Sequence, residues 1–270
     1  MKNSFKMILA GCAAACTMTA AVAAQADMVR KQSPIWQMRH TLTMPFGQRT
    51  MTLEAPLGMC FLDESQYLEG SVIKQLRGSG TSSDGGLLMT MFANCDELEK
   101  FSQLPQLQAD TPPGVDPPKA ELSHEGSISW MSPKLGKAPM TVPEYLDMRA
   151  PHFRDEMKDA LAKQYKEMGG SSSIKIDNNI SAQVMMGSPD QYVFDDKARR
   201  TDNGLSIGYS VEYDAEYTHH RQVGVIGTTL LRHYPVEISL TSPGSEKNDT
   251  KAKLQDLLDK YMAQVSAMNP

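Results

Sequence analysis

Alternation of apolar and polar residues is plainest in the last hundred residues of the chain. Leu205, Ile207, Tyr209, Val211, Tyr213, Ala215 and Tyr217 are separated by Ser206, Gly208, Ser210, Glu212, Asp214 and Glu216. A period of two predicts one long strand, with the odd positions on the core and Glu212, Asp214 and Glu216 in water. Asp202-Asn203-Gly204 ahead of it has the composition of a tight hairpin turn. Residues 223–231 are apolar at both parities, as in a central strand covered on both faces. A turn at Arg232-His233-Tyr234-Pro235 leads to another strand through Val236, Ile238 and Leu240. Asn248 or Asp249 then caps a final helix, whose Leu254, Leu257, Leu258, Tyr261, Met262 and Val265 lie on one side.

The first half is more interrupted. Residues 27–47, with Pro34 and Pro45, read as an irregular arm carrying Trp36. Residues 49–54 and 59–62 read as short strands on either side of the Ala55-Pro56-Leu57-Gly58 turn. Asp63 and Gln66 introduce a helix with Tyr67, Leu68, Val72, Ile73 and Leu76 at helical spacing, ending at Gly78. After the loop 78–86 comes a strand over 87–93, then a short helix to Phe101 capped by Asn94 with Glu97. Residues 104–122 contain five prolines and few apolar residues, which predicts an exposed loop. A strand at 128–131 follows. Thr141-Val142-Pro143-Glu144 is a capping box that opens a helix, which Pro151 splits and Gly169-Gly170 ends.

This order predicts an α+β fold: an antiparallel sheet flanked by helices on both faces, an α/β/α sandwich. Residues 48–270 form a single domain with the Pro-rich loop at 104–122. The element order from Thr141 to Val265, with the hairpin Leu231 to Leu240, resembles the PsbP-like fold of photosystem accessory proteins and of a Ran-binding protein. That resemblance implies an accessory or binding role without turnover, and no catalytic residues.

Export enters from the first residues. Lys2 and Lys6 precede an apolar run from Met7 to Ala24, with no acidic residue before Asp27. These are the parts of a secretory signal peptide over residues 1–26. Cleavage between Ala26 and Asp27 leaves a polar start, and Ala21-Val22-Ala23 before Ala24 is the other frame. Leu9-Ala10-Gly11-Cys12 resembles a lipobox, but its apolar stretch is shorter than a normal signal core and apolar sequence continues past it. Removing residues 1–26 takes two lysines and no acid from 27 basic and 32 acidic residues, leaving a net charge of −7. Such a chain lacks the basic field that holds nucleic acid, and no later apolar segment reaches membrane-spanning length. Periplasmic or secreted location follows, with an unknown protein or small molecule as partner.

Cys60 and Cys95 are the cysteines left after cleavage, and in an oxidising compartment they predict a structural disulfide. The alternative is a free nucleophilic Cys60. Among other chemistry, Asp214, Glu216 and His220 would share one face of an unbroken strand as a possible zinc or copper cluster. Against it stands a polar strand end entering a turn. Met89 with Met91 on one strand face, and Met185-Met186, are thioether pairs that would suit Cu(I), against the plainer role of filling the core. Asp195-Asp196 beside Lys197, Arg199 and Arg200 reads as a solvated strand end. No Gly-x-Ser-x-Gly, His-Glu-x-x-His or Cys-x-x-Cys occurs. The reading is therefore an exported accessory or binding protein without catalytic, cofactor or metal residues. The alternative is an exported hydrolase whose site assembles only in space.

Overall fold

A computed structural model describes residues 34–46, 49–79, 87–112, 114–115, 122–131, 140–167, 173–175, 181–183, 188–215, 218–244 and 249–270. The expected signal segment over residues 1–26 with Cys12 and Ala26 lies outside the described residues, as do Asp27, Met185 and Met186.

One antiparallel sheet organises the chain, as expected of an α+β protein. Its strands are β3 (Met59–Phe61), β4 (Leu87–Asn94), β5 (Glu125–Trp130), β8 (Tyr192–Phe194), β9 (Arg199–Arg200), β10 (Leu205–Ala215), β11 (Thr218–Leu231) and β12 (Tyr234–Pro243). They run in the order β3-β4-β5-β12-β11-β10-β8, with β9 also paired to β10. Two small hairpins stand apart, β1 (Thr41–Phe46) with β2 (Arg49–Glu54), and β6 (Ser173–Lys175) with β7 (Ser181–Gln183).

The helices are α1 (Pro34–Arg39), α2 (Tyr67–Ser79), α3 (Cys95–Ala109), α4 (Val142–Arg149), α5 (Phe153–Glu167) and α6 (Asp249–Met268). α6 and the β1–β2 hairpin cover one sheet face. There Leu254, Leu258, Tyr261, Met262 and Val265 meet Val225, Ile238 and Leu240, while Met51 and Leu53 close the side. The opposite face carries two separate groups. α1, α2 and α3 bury Ile35, Val72, Ile73, Leu98 and Phe101 over Met91 and Ala93 of β4. α4 and α5 bury Tyr145, Leu146, Phe153 and Met157 over Ile207, Tyr209 and Ile226. Helices therefore flank both faces, which is the sandwich the alternation predicts.

Several expectations need correction. Residues 34–46, expected to be irregular, form α1 and β1, because Ile35 and Leu42 find cores to pack against. α3 does not stop at Phe101: it continues through Pro105 to Ala109, so the Pro-rich loop starts at 110. Burial of Leu98, Phe101 and Leu104 on one side outweighs the hydrogen bond that Pro105 cannot make. β10 ends at Ala215 and β11, antiparallel to it, begins at Thr218, so His219 and His220 already belong to β11. Leu205, Ile207, Tyr209, Val211 and Tyr213 are buried and Glu212 is exposed, but Ser206 and Gly208 are buried too; the side chains of Asp214, Ala215 and Glu216 lie outside the described ones. α6 lies on that side, with Gln255 near Ser206 and Lys251 near Gly208.

Polar groups join the helices to one another and to the sheet. The Glu69 side chain in α2 is 0% exposed. It accepts hydrogen bonds from Arg39 Nη1 (2.9 and 2.7 Å), the Asp63 backbone N–H (2.7 Å) and Ser102 Oγ (2.6 Å). One carboxylate thus ties α1, α3 and the entry to α2. Asp195 and Arg199 are not merely solvated: Lys251 bonds Asp195, and Arg199 pairs with Asp256 (2.8 Å) and Asp259 (2.5 Å). They fasten α6 to the outer strands.

Candidate functional site

The two helix groups on one face leave the strands between them bare of described helices. Those strands are β5 and β12, and both alternate strictly. Ile128, Val236, Ile238 and Leu240 point into the α6 core. The other parity places Glu125, Ser127 and Ser129 beside Thr241, Ser239 and Glu237. All six are only partly buried. Ser127 and Ser239 bridge the strands through their hydroxyls at 2.8 Å. The result is a polar stripe between α3 on one side and α4 on the other.

The walls contribute further groups. Tyr145 of α4 is hydrogen-bonded to Thr228 of β11 (Oη to Oγ1, 2.7 Å), and Thr228 donates to the Val236 carbonyl (3.0 Å). Arg149, at the end of α4, has a side chain 18% exposed and stands 2.8 Å from Glu156. Its guanidinium lies over the Phe153 ring at 5.9 Å. From β10, Tyr209 lies across Gly224, the residue opposite it on β11. A Cβ on Gly224 would collide with the phenol, so glycine is required there for close approach. Phe92 crosses Gly126 on the other sheet face in the same way.

Electrostatics distinguish this stripe. Glu125 and Glu237 keep an exposed edge, yet protein surrounds them closely enough to strip water from their carboxyls. That desolvation pushes each up to about 7, with the Glu97 charge adding to the rise at Glu125 and Arg149 opposing it at Glu237. Burial also raises the Tyr209 phenol well above its ordinary value. None of these three side chains makes a hydrogen bond with a described residue. Register sets Glu125 opposite Thr241 and Glu237 opposite Ser129, so their Cα atoms are about 14 Å apart. Side chains stand nearly perpendicular to a sheet, and the two carboxyls do not converge on one atom as an acid–base pair would.

Raised carboxyls make stability depend on pH with a definite sign. The folded chain holds these two protons more tightly than the unfolded chain, whose carboxyls titrate near 4.5. Their contribution is complete below that value and is lost as pH rises through about 7. With the exposed edges discounted, the loss is on the order of 3 kcal/mol for the pair. Urea unfolding of wild type and of the Glu125→Gln/Glu237→Gln variant at pH 5 and pH 8 measures this. The variant is expected to lose much less stability over that interval; equal losses would refute the assignment.

A second cluster mimics a catalytic triad. Ser123, His124 and Glu97 meet at the start of β5: Ser123 Oγ donates to Glu97 Oε1 (2.6 Å), and His124 Nδ1 lies 2.7 Å from the same oxygen. The backbone N–H groups of Ser123 and His124 donate to Oε2 (2.9 and 3.0 Å). Burial raises the Glu97 carboxyl, but these donors outweigh it and hold it below its ordinary value. In a triad the acid holds one imidazole nitrogen and the serine lies at the other. Here serine and acid share Nδ1, with Ser123 Oγ at 3.2 Å. The cluster is a brace from α3 to β5, and it diverts Glu97 from the capping role expected of it. Asn94 caps α3 alone, accepting from Asp96 and Glu97 N–H.

Of the residues singled out in the sequence, Cys60 and Cys95 are brought together in a disulfide between β3 and the first residue of α3 (Cα–Cα 5.1 Å). Antiparallel pairing of β10 with β11 breaks the shared face expected of Asp214 and His220. Register sets Asp214 opposite His219 and Tyr213 opposite His220, while Glu216 lies outside the described residues. Met89 and Met91 are also separated, because a bulge between Leu88 and Thr90 turns Met89 to the α6 core and Met91 to the α2–α3 core. Among the described residues, no group of three or more His, Cys, Asp or Glu could hold a metal ion. Glu125 and Glu237 were not singled out by motif. Their signal is the repeated spacing Glu-x-Ser-x-Ser at 125–129 and Glu-x-Ser-x-Thr at 237–241.

No family model, curated protein or solved structure matches this chain. Function is therefore argued from the stripe itself.

Proposed function

We propose that this protein is exported and acts without turnover, as a binding or accessory protein whose partner seats on the stripe between the two helix groups. One observation carries the reading. Two desolvated carboxyls and a largely buried phenol face one surface with no hydrogen-bond partner among the described residues. A ligand that satisfies them offsets a cost the free protein bears. The Cys60–Cys95 disulfide supports an oxidising compartment, and no described helix is long and apolar enough to cross a membrane. A hydrolytic reading draws no comparable support from Ser123, His124 and Glu97, because the serine hydroxyl and the carboxylate meet the same imidazole nitrogen and the hydroxyl donates to the carboxylate itself, where a triad sets them on opposite sides of the ring.

The test is retention against conversion. Immobilised protein is incubated with an extract of exported material, and the extract is compared by mass spectrometry before and after. One set of compounds is expected to be held unchanged by wild type and released by Glu125→Gln/Glu237→Gln. New products formed by wild type would overturn the proposal.

A further inference from the structure

One row of the sheet runs through the stripe. Register places Phe194, Tyr209, Gly224, Thr241, Glu125 and Ala93 side by side across β8, β10, β11, β12, β5 and β4. Tyr209 is 6% exposed, and its phenol reaches over Gly224 towards the middle of the row. Thr241 beyond it is short, and Glu125 follows on the next strand. The row thus sets Thr241 between the phenol that crosses Gly224 on one side and the Glu125 carboxyl on the other. Neither of those groups has a hydrogen-bond partner among the described residues.

We propose that the cationic head of an amine ligand seats above Thr241, an alkylammonium or guanidinium group held between Glu125 and the hydroxyl of Tyr209. The inference rests on the binding reading above and adds the chemistry of the ligand. Charge decides between ligand classes. Around Glu125 the titratable neighbours are the Glu97 carboxylate, with His124 paired to it, and Tyr209. An anion there would meet like charge. A neutral polyol could bond the hydroxyls but would leave the desolvated carboxyl without a counter-charge. An ammonium brings both charge and N–H donors, and Glu125 and the phenol are both acceptors. The Glu237 end is different, because Arg149 already supplies a positive charge to it. The head group is therefore assigned to Glu125, and the remainder of the ligand runs along Ser127 and Ser239.

The experiment is NMR titration of the full chain with putrescine and ethylguanidinium, with butanol and butyrate as neutral and anionic comparisons. Both cations are expected to bind saturably and to move the Glu125 and Tyr209 resonances. Glu125→Gln should weaken that binding on the order of tenfold or more. Tyr209→Phe keeps the ring over Gly224 and should weaken it by a smaller factor. Glu212→Gln, on an exposed residue paired with Arg221 on the other parity of β10, should leave it unchanged. Circular dichroism on each variant separates lost binding from lost folding. Equal binding of butanol or butyrate, or of the cations to Glu125→Gln, would overturn the assignment. The extract described above is run in parallel. If it moves these resonances while neither cation does, the ligand class is wrong and the binding reading stands; if neither moves them, both fall.

Discussion

Replacing Glu69 by alanine is expected to cost about 3–5 kcal/mol of stability. The side chain has no contact with solvent and accepts four hydrogen bonds, two from Arg39 and one each from the Asp63 backbone and Ser102. Its loss strands the Arg39 guanidinium, which is mostly buried, and leaves the Asp63 N–H without its acceptor, while the Ser102 hydroxyl keeps only the Leu98 carbonyl (2.8 Å). Arg39 would retain a single distant carboxylate, that of Asp63 at 4.0 Å. Arg39→Ala should cost a similar amount. The double variant should cost clearly less than the sum of the two, because each change removes the same interaction. Chemical unfolding of the three variants decides the matter. Additive losses would mean that the pair acts through separate contacts.

Loss of the Cys60–Cys95 bridge is the other large effect. It closes a segment with a sequence separation of 35 residues. The chain-entropy relation gives about 4 kcal/mol for a loop of that length. Cys60→Ala/Cys95→Ala, which avoids a lone thiol, should therefore unfold at much lower denaturant than the oxidised wild type, with a steeper dependence on denaturant because the unfolded chain is no longer cross-linked. Binding at the stripe should survive under mild conditions, since both sulfurs lie in the α1–α3 core and not on β5 or β12. Two thiols that label readily in unfolded, unreduced protein would refute the bridge.

Legibility of the fold followed from how local each signal is. α6, β12 and the buried parity of β10 were readable because apolar periodicity alone specifies them. The split at Pro151 was readable because proline acts on its own turn. The continuation of α3 through Pro105 was not, since the contacts of Leu104 that outweigh the proline come from other elements. Nor was the early start of β11: residues 218–222 are polar, and they are in the sheet because β10 offers a ladder to pair with. The stripe was hidden for the same reason. Glu125 and Glu237 are more than a hundred residues apart in the chain, and only the register of β5 with β12 brings their segments together, although each segment carries its own alternation. The disulfide was readable because only two cysteines lie beyond the expected signal segment, and two admit one pairing.

The β1–β2 hairpin has a consequence for the order in which the protein can be built. Met51 and Leu53 are fully buried against the α6 core. Asn269 closes that contact by hydrogen bonds to the Thr52 N–H and C=O, across 217 residues of sequence (3.2 and 2.8 Å). A chain emerging N-terminus first therefore presents this hairpin long before its partner helix exists. Contacts so distant in sequence form slowly, and the apolar face waits in the open meanwhile. The first strands to appear are thus among the last to be buried, and throughout synthesis they are the segment with the greatest need of a chaperone.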